Sequence, residues 1–310
     1  MVYFLAEYMM KGRMQAVLIA TTFALLSLLF PPITVLSCCA VALVTLRKGV
    51  LEGLIVLLIA AMVGAVFSIF LVDNFLFVFG YGLLIWLPVW FISVVLFVSH
   101  NLARAIETAV LLGVVSVIGF YVLMPDPVLF WEAMLKNLIE PMLSETNNQD
   151  ISIEQLTLSV EQFSHYMTGM VAAGYISGVL LSVILARWCQ AMLYYREGFK
   201  QEFLALKTNR RIATTLIVMV SCGLFAEGTV AEIAWNMIIP LFVLYTFIGM
   251  AIFHVLLTAK SNSRTMVSLF YGFMFMFSFI TPLVFLPVAI TGLSDSWLNM
   301  REKILNQANG

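Results

Sequence analysis

Charged residues are scarce: Asp, Glu, Lys and Arg make up only 11% of 310 residues, where a soluble globular domain has roughly 25%. So few charges cannot solvate the surface of a soluble fold. The net charge of −1 supplies no cationic field for nucleic acid. Cysteine is rare too. Cys38, Cys39, Cys189 and Cys222 show no Cys-x-x-Cys spacing, which excludes the usual zinc and dithiol redox motifs. Cys38 and Cys39 lie in an apolar run and read as small buried hydrophobes. His100, His165 and His254 are far apart and show no metal-ligand spacing. There is no Walker loop, no His-Glu-x-x-His, no nucleophile elbow and no pair of carboxylates inside an apolar run. Neither catalysis nor ATP hydrolysis is expected of this chain, and no metal or cofactor.

What is abundant is apolar. Hydrophobic residues form 62% of the sequence, gathered in runs of about 17–25 residues, the length that crosses the bilayer core as a helix. A closed barrel would show two-residue alternation instead. The expected fold is all-α: a polytopic transmembrane helix bundle of about eight or nine membrane helices, one integral membrane domain over residues 1–310. The candidate spans are 14–30, 33–46, 50–72, 75–98, 105–124, 167–186, 211–227, 233–258 and 265–290, the second short enough to be re-entrant or tilted. Lys11 and Arg13 before the first run are loosely signal-peptide-like. No small-x-small cleavage site follows, so the first helix reads as retained.

Orientation follows from the cations, which stay on the cytoplasmic side. Lys11, Arg13, Arg47, Lys48, Arg104, Arg187, Arg196, Lys200, Lys207, Arg210, Arg211, Lys260 and Arg264 all fall in alternate connections. The intervening turns carry Pro31-Pro32, Asp73-Asn74, and Glu227 with Glu232. That pattern implies a multi-pass membrane protein with a cytoplasmic N-terminus. Nine crossings leave Arg301 and Lys303 outside, so either the tail 291–310 is external or one span does not cross. Leu293, Trp297, Met300 and Ile304 give that tail an amphipathic, interfacial pattern.

Residues 125–165 read as an external acidic insert with two amphipathic helices. Phe130, Met134, Leu135, Leu138 and Met142 share a face of the first. Ser152-x-x-Gln155 caps the second. Residues 187–210 read as a basic interfacial segment on the cytoplasmic side.

Ionisable and polar groups at membrane depth are functional candidates. Glu52 and Glu107 stand in the first turns of their spans, where pairing or snorkelling explains them; Arg104 is placed to pair with Glu107. In the outer half, Asp73, Asn74, Tyr81, Trp86, Glu227, Glu232 and Asn236 could line an aromatic pocket with a few polar groups, the usual form of a small-molecule site. Pro88 is placed to kink the fourth span. Ala16, Ala20 and Ala24, like Gly174 and Gly178, form smooth strips that permit close helix contact.

The run Met167-Thr168-Gly169, then Arg187-Trp188, Gln190, Leu193-Tyr194, Gly198-Phe199 and Glu202-Phe203, resembles the YybS-like predicted membrane proteins. The tail residues Gly292, Asp295, Trp297 and Arg301 fit the same likeness. Cys189 and the turn 194–199 depart from that pattern. The family is distantly similar to the substrate-binding S subunits of energy-coupling-factor transporters. That similarity implies a small ligand held near the outer face. It also implies a membrane coupling subunit met by the Ala16, Ala20 and Ala24 strip. Arg187, Trp188, Gln190, Phe199 and Phe203 would face a partner or the lipid bilayer on the inner side. A non-transport scaffold recruiting envelope or division proteins is the alternative.

Overall fold

The computed structural model describes residues 2–72, 80–145, 153–195, 198–261, 264–278, 281–301 and 303. Among them are fourteen α-helices and no strand. In chain order they are α1 Val2–Lys11, α2 Arg13–Leu26, α3 Thr34–Lys48, α4 Val50–Val72, α5 Leu87–Ser99, α6 Leu102–Leu123, α7 Pro127–Glu145, α8 Ile153–Ser164, α9 Met167–Tyr194, α10 Gly198–Leu204, α11 Arg210–Phe225, α12 Gly228–Ser261, α13 Arg264–Ser278 and α14 Phe285–Leu298. Six stretches are long and apolar enough to cross a membrane: Pro31–Lys48, Val50–Phe67, Gly82–Ser99, Leu102–Leu123, Met167–Tyr194 and Gly228–Thr258. Arg13–Leu26 and Thr265–Ser278 are apolar but shorter.

The second candidate span is the centre of the bundle. Every residue of α3 from Ser37 to Leu46 is buried, and α3 packs against α2, α4, α5 and α9. Its small side chains Ser37, Cys38, Cys39, Ala40 and Ala42 let neighbours approach from all sides.

Two prolines shape the longer helices by the carbonyls they leave free. Pro88 has no N–H for the carbonyl of Leu84, four residues back. There the backbone widens into a π-helical turn, Gly82–Trp86, and the Leu87 N–H bonds the Gly82 carbonyl. The Tyr175 hydroxyl of α9 donates to the Leu84 oxygen instead. Pro240 lies inside α12 and likewise withholds a donor from the Asn236 carbonyl.

The last candidate span, 265–290, is a pair of helices. A 3-10 turn at Pro282–Val284 separates α13 from α14. At 15 and 14 residues, each reaches about 22 Å, short of the ~30 Å hydrocarbon core. Hydropathy runs through the break, because Thr281, Pro282 and Leu283 interrupt the backbone without adding charge. α14 lies backbone-to-backbone on α12. A Cβ on Gly249 would stand 1.9 Å from the Val288 carbonyl oxygen, and one on Gly292 2.1 Å from that of Tyr245.

The insert forms α7 and α8, which pack on each other. The apolar face expected of α7 points outward: Phe130, Met134 and Leu138 are exposed, while Trp131 is buried. The Met142 side chain and the Ser152-x-x-Gln155 cap lie outside the described residues.

Candidate functional site

The outer-pocket candidates fall into two groups. In the first, α6, α9 and α12 meet around Asn236, which is fully buried. Its Oδ1 accepts from the Gly169 N–H at 2.6 Å. Its Nδ2 donates to the Tyr121 hydroxyl at 3.0 Å, the His165 carbonyl at 2.6 Å and the Glu232 carbonyl at 2.9 Å. The Tyr121 hydroxyl donates to Glu232 Oε1 at 2.5 Å, and His165 Nδ1 stands 3.5 Å from Glu232 Oε2. Gly169 is required by closeness: a Cβ there would meet the Asn236 carbonyl oxygen at 2.6 Å, the same oxygen that Pro240 leaves without a helical donor. Next to Gly169, the Thr168 hydroxyl accepts from Trp131 Nε1 of α7 at 2.8 Å. The Trp131 ring stacks on Phe120. The insert is therefore fastened beside this cluster. Asn236 spends its amide on the scaffold, whereas Glu232 and His165 keep 20% and 46% of their side-chain surface open.

The second group is Tyr81 and Trp86, edge to face at 5.2 Å between ring centres. Trp86 is fully buried. Its Nε1 donates to the Ser37 hydroxyl at 3.0 Å, which donates in turn to the Ala20 carbonyl at 2.7 Å. Ser27 Oγ lies 3.5 Å from the Tyr81 hydroxyl. These contacts knit α2, α3 and the π turn together, on helices other than those that carry Glu232. Glu227 is exposed in the connection between α11 and α12. Asp73 and Asn74 lie outside the described residues.

The residues expected to face partners are mostly turned inward. Ala16, Ala20 and Ala24 are buried, and α2 packs on α3 and α4. The spacing that permits close approach is used within the chain. Gly174 and Gly178 do the reverse: a Cβ at either meets no atom within 4 Å. Helix α9 runs on to Tyr194, so Arg187, Trp188 and Gln190 belong to its last turns. Arg187 holds Glu202 with two donors, one at 2.9 Å, and gives a third to Gln190 Oε1 at 2.5 Å. Gln190 donates to the Leu46 carbonyl at 2.8 Å. A cavity of about 100 Å³ opens beside these groups. Phe199 and Phe203 stack at 5.8 Å and pack on the core. Trp188, Tyr194 and Tyr195 remain exposed, with the Arg47 guanidinium 3.9 Å over the Tyr194 ring. Glu52 is paired with Arg13. Glu107 accepts from Thr208 at 2.5 Å in place of the expected Arg104.

Residues 295–301 pack against this surface. Lys207 donates to Asn299 Oδ1 at 2.9 Å, and Arg210 to the Ser296 carbonyl at 3.1 Å. Arg301 donates to the carbonyls of Leu204 and Leu206 and stands 3.4 Å from Asp295. Burial pulls the Arg301 guanidinium below its usual pKa, and the Asp295 carboxylate opposes that shift. Among the described residues no three His, Cys, Asp or Glu side chains gather as a metal site.

Tyr121 and Trp131 escaped the sequence reading, and His165 was weighed there only as a metal ligand. Thr168 and Gly169 stood within a quoted motif, but only as a likeness. The useful signal was Pro240, which marks the Asn236 carbonyl as free for another element.

A helical chain with six such apolar stretches is consistent with a multi-pass membrane protein. Compared with known proteins, the chain finds no match: no family model, no curated protein and no solved structure.

Proposed function

We propose that this chain is a transport-type protein of a bacterial inner membrane, S-subunit-like and akin to the YybS-like family. Its N-terminus is cytoplasmic. It binds a small solute or lipid-like molecule in its outer half, performs no catalytic step, and takes its energy from a separate coupling subunit. The observation that supports this most is the Glu232–His165 pair. It is partly open, oriented from beneath by Tyr121 and Asn236, and flanked by the α7–α8 insert through Trp131. A carboxylate so placed suits a solute with a cationic or hydrogen-bond-donating group.

Native mass spectrometry of the protein extracted with its lipids tests the reading. A small-molecule adduct is expected that disappears in Glu232→Gln and in His165→Ala. An adduct that survives both variants removes the assignment.

A scaffold that recruits envelope or division proteins is the second reading. The exposed Trp188, Tyr194 and Tyr195 favour it, standing on the same side as the connection that Arg301 ties to the end of α14. A stable protein partner without a small molecule would decide for it.

A further inference from the structure

A groove of about 630 Å³ runs along α2. Tyr8 of α1, Met14, Leu18 and Leu25 of α2, Leu29 in the turn after it, and Val63 and Phe67 of α4 line it. Met14, Leu18, Leu29 and Phe67 are exposed, so the groove opens sideways. From Met14 to Leu29 its wall extends about 20 Å at helical rise, more than the ~15 Å of one leaflet's hydrocarbon. Helix partners in membranes are met by small residues that bring backbones together. Val17, Thr21 and Thr22 also line this wall, but Met14, Leu18, Leu25, Leu26 and Leu29 dominate it, and such long, flexible side chains suit an acyl chain better than a helix.

One end of the groove is cationic. Lys11 Nζ stands 6.0 Å from the centre of the Tyr8 ring. Arg13 directly precedes Met14 and is tied to Glu52, and Lys48 is close enough to act on Glu52 electrostatically. Lys11, Arg13 and Lys48 outnumber Glu7 and Glu52 here. A phosphate would meet the Lys11 ammonium and the Tyr8 hydroxyl at the depth where Lys and Tyr anchor to headgroups.

We propose that the groove between α2 and α4 holds one acyl chain of an anionic glycerophospholipid, with its phosphate at Lys11 and Tyr8. The site shares no residue with the Glu232 cluster and stands whether or not the solute reading does.

The test gives the purified protein equal amounts of phosphatidylglycerol and phosphatidylcholine of the same chain length, read by native mass spectrometry. One preferred phosphatidylglycerol adduct is expected. Lys11→Gln should cut phosphatidylglycerol binding about fivefold, the value of one cation at an anionic surface, and phosphatidylcholine binding less, because the choline cation already offsets that lipid's phosphate charge. Leu18→Trp should fill the groove and remove both adducts at an unaltered unfolding midpoint. If that variant unfolds, Thr22→Phe on the same wall replaces it. Three outcomes overturn the proposal: equal retention of the two lipids by the unsubstituted protein, an adduct that persists in the filled groove, or a dimer in place of the lipid. Displacement of the adduct by glycerol phosphate alone also overturns it, because the chain would then contribute nothing.

Discussion

The Arg301 guanidinium donates to the Leu204 carbonyl oxygen at 2.6 Å, and that bond ties the end of the chain to the basic connection between α9 and α11. Whatever side of a membrane Leu204 occupies, Arg301 occupies too. An even number of crossings must therefore separate them. On the proposed reading, α11 and α12 cross as one pair, and the short helices α13 and α14 together return to the side they left. Reporter fusions at Lys48 and at the C-terminus should read the same compartment, and a fusion at Asn148 the opposite one. A C-terminal fusion that reads with Asn148 would contradict both the hydrogen bond and the even count.

Gly169 and Asn236 form the joint between α9 and α12. Gly169→Ala should cost about 1–3 kcal/mol, the usual penalty of overpacking, because the new methyl meets backbone that cannot move aside. Asn236→Ala should cost a similar ~1–3 kcal/mol by stranding the buried Gly169 N–H. Denaturant unfolding in detergent measures both. Because the two substitutions act at one contact, their effects should be clearly less than additive.

Part of the architecture was legible because apolar runs are averages over many residues. Helicity and the presence of several helices long and apolar enough to cross a membrane came through that way. The central place of α3 did not. Its shortness suggested a marginal element, whereas its small side chains decide how many neighbours it can hold, and hydropathy does not weigh volume. The alanine and glycine strips show a second limit: spacing says that something can come close, not what does. The site shows a third. Tyr121 and Glu232 are 111 residues apart, and nothing local marks a tyrosine near a helix end as the partner of a distant carboxylate. Asn236 was picked out as a ligand group, whereas its hydrogen-bond partners here are three backbone groups and the Tyr121 hydroxyl.

Tyr245 offers a stability test that does not depend on function. It is fully buried, and its hydroxyl has no hydrogen-bond partner among the described residues. A buried donor without an acceptor costs about 1–3 kcal/mol. Tyr245→Phe keeps the ring and removes the stranded group, so it should leave stability unchanged or raise the unfolding midpoint. A clear loss of stability would reveal an acceptor that the hydroxyl reaches in the membrane.

Tyr175 and Pro88 should be coupled through a carbonyl that belongs to neither. Pro88 withholds the N–H that Leu84 would accept, and the Tyr175 hydroxyl supplies the missing donor from α9. Tyr175→Phe in the native background therefore strands a carbonyl at membrane depth and should cost about 1–3 kcal/mol. Pro88→Ala restores a backbone donor within the helix, and with it the same tyrosine substitution should cost little. The four-protein cycle, read as unfolding free energies in one detergent, isolates the interaction from whatever else each change does. A Tyr175→Phe penalty that is equal in both backgrounds would mean that the hydroxyl supports α5 through packing alone. The π turn at Gly82–Trp86 would then owe its geometry to Pro88 by itself.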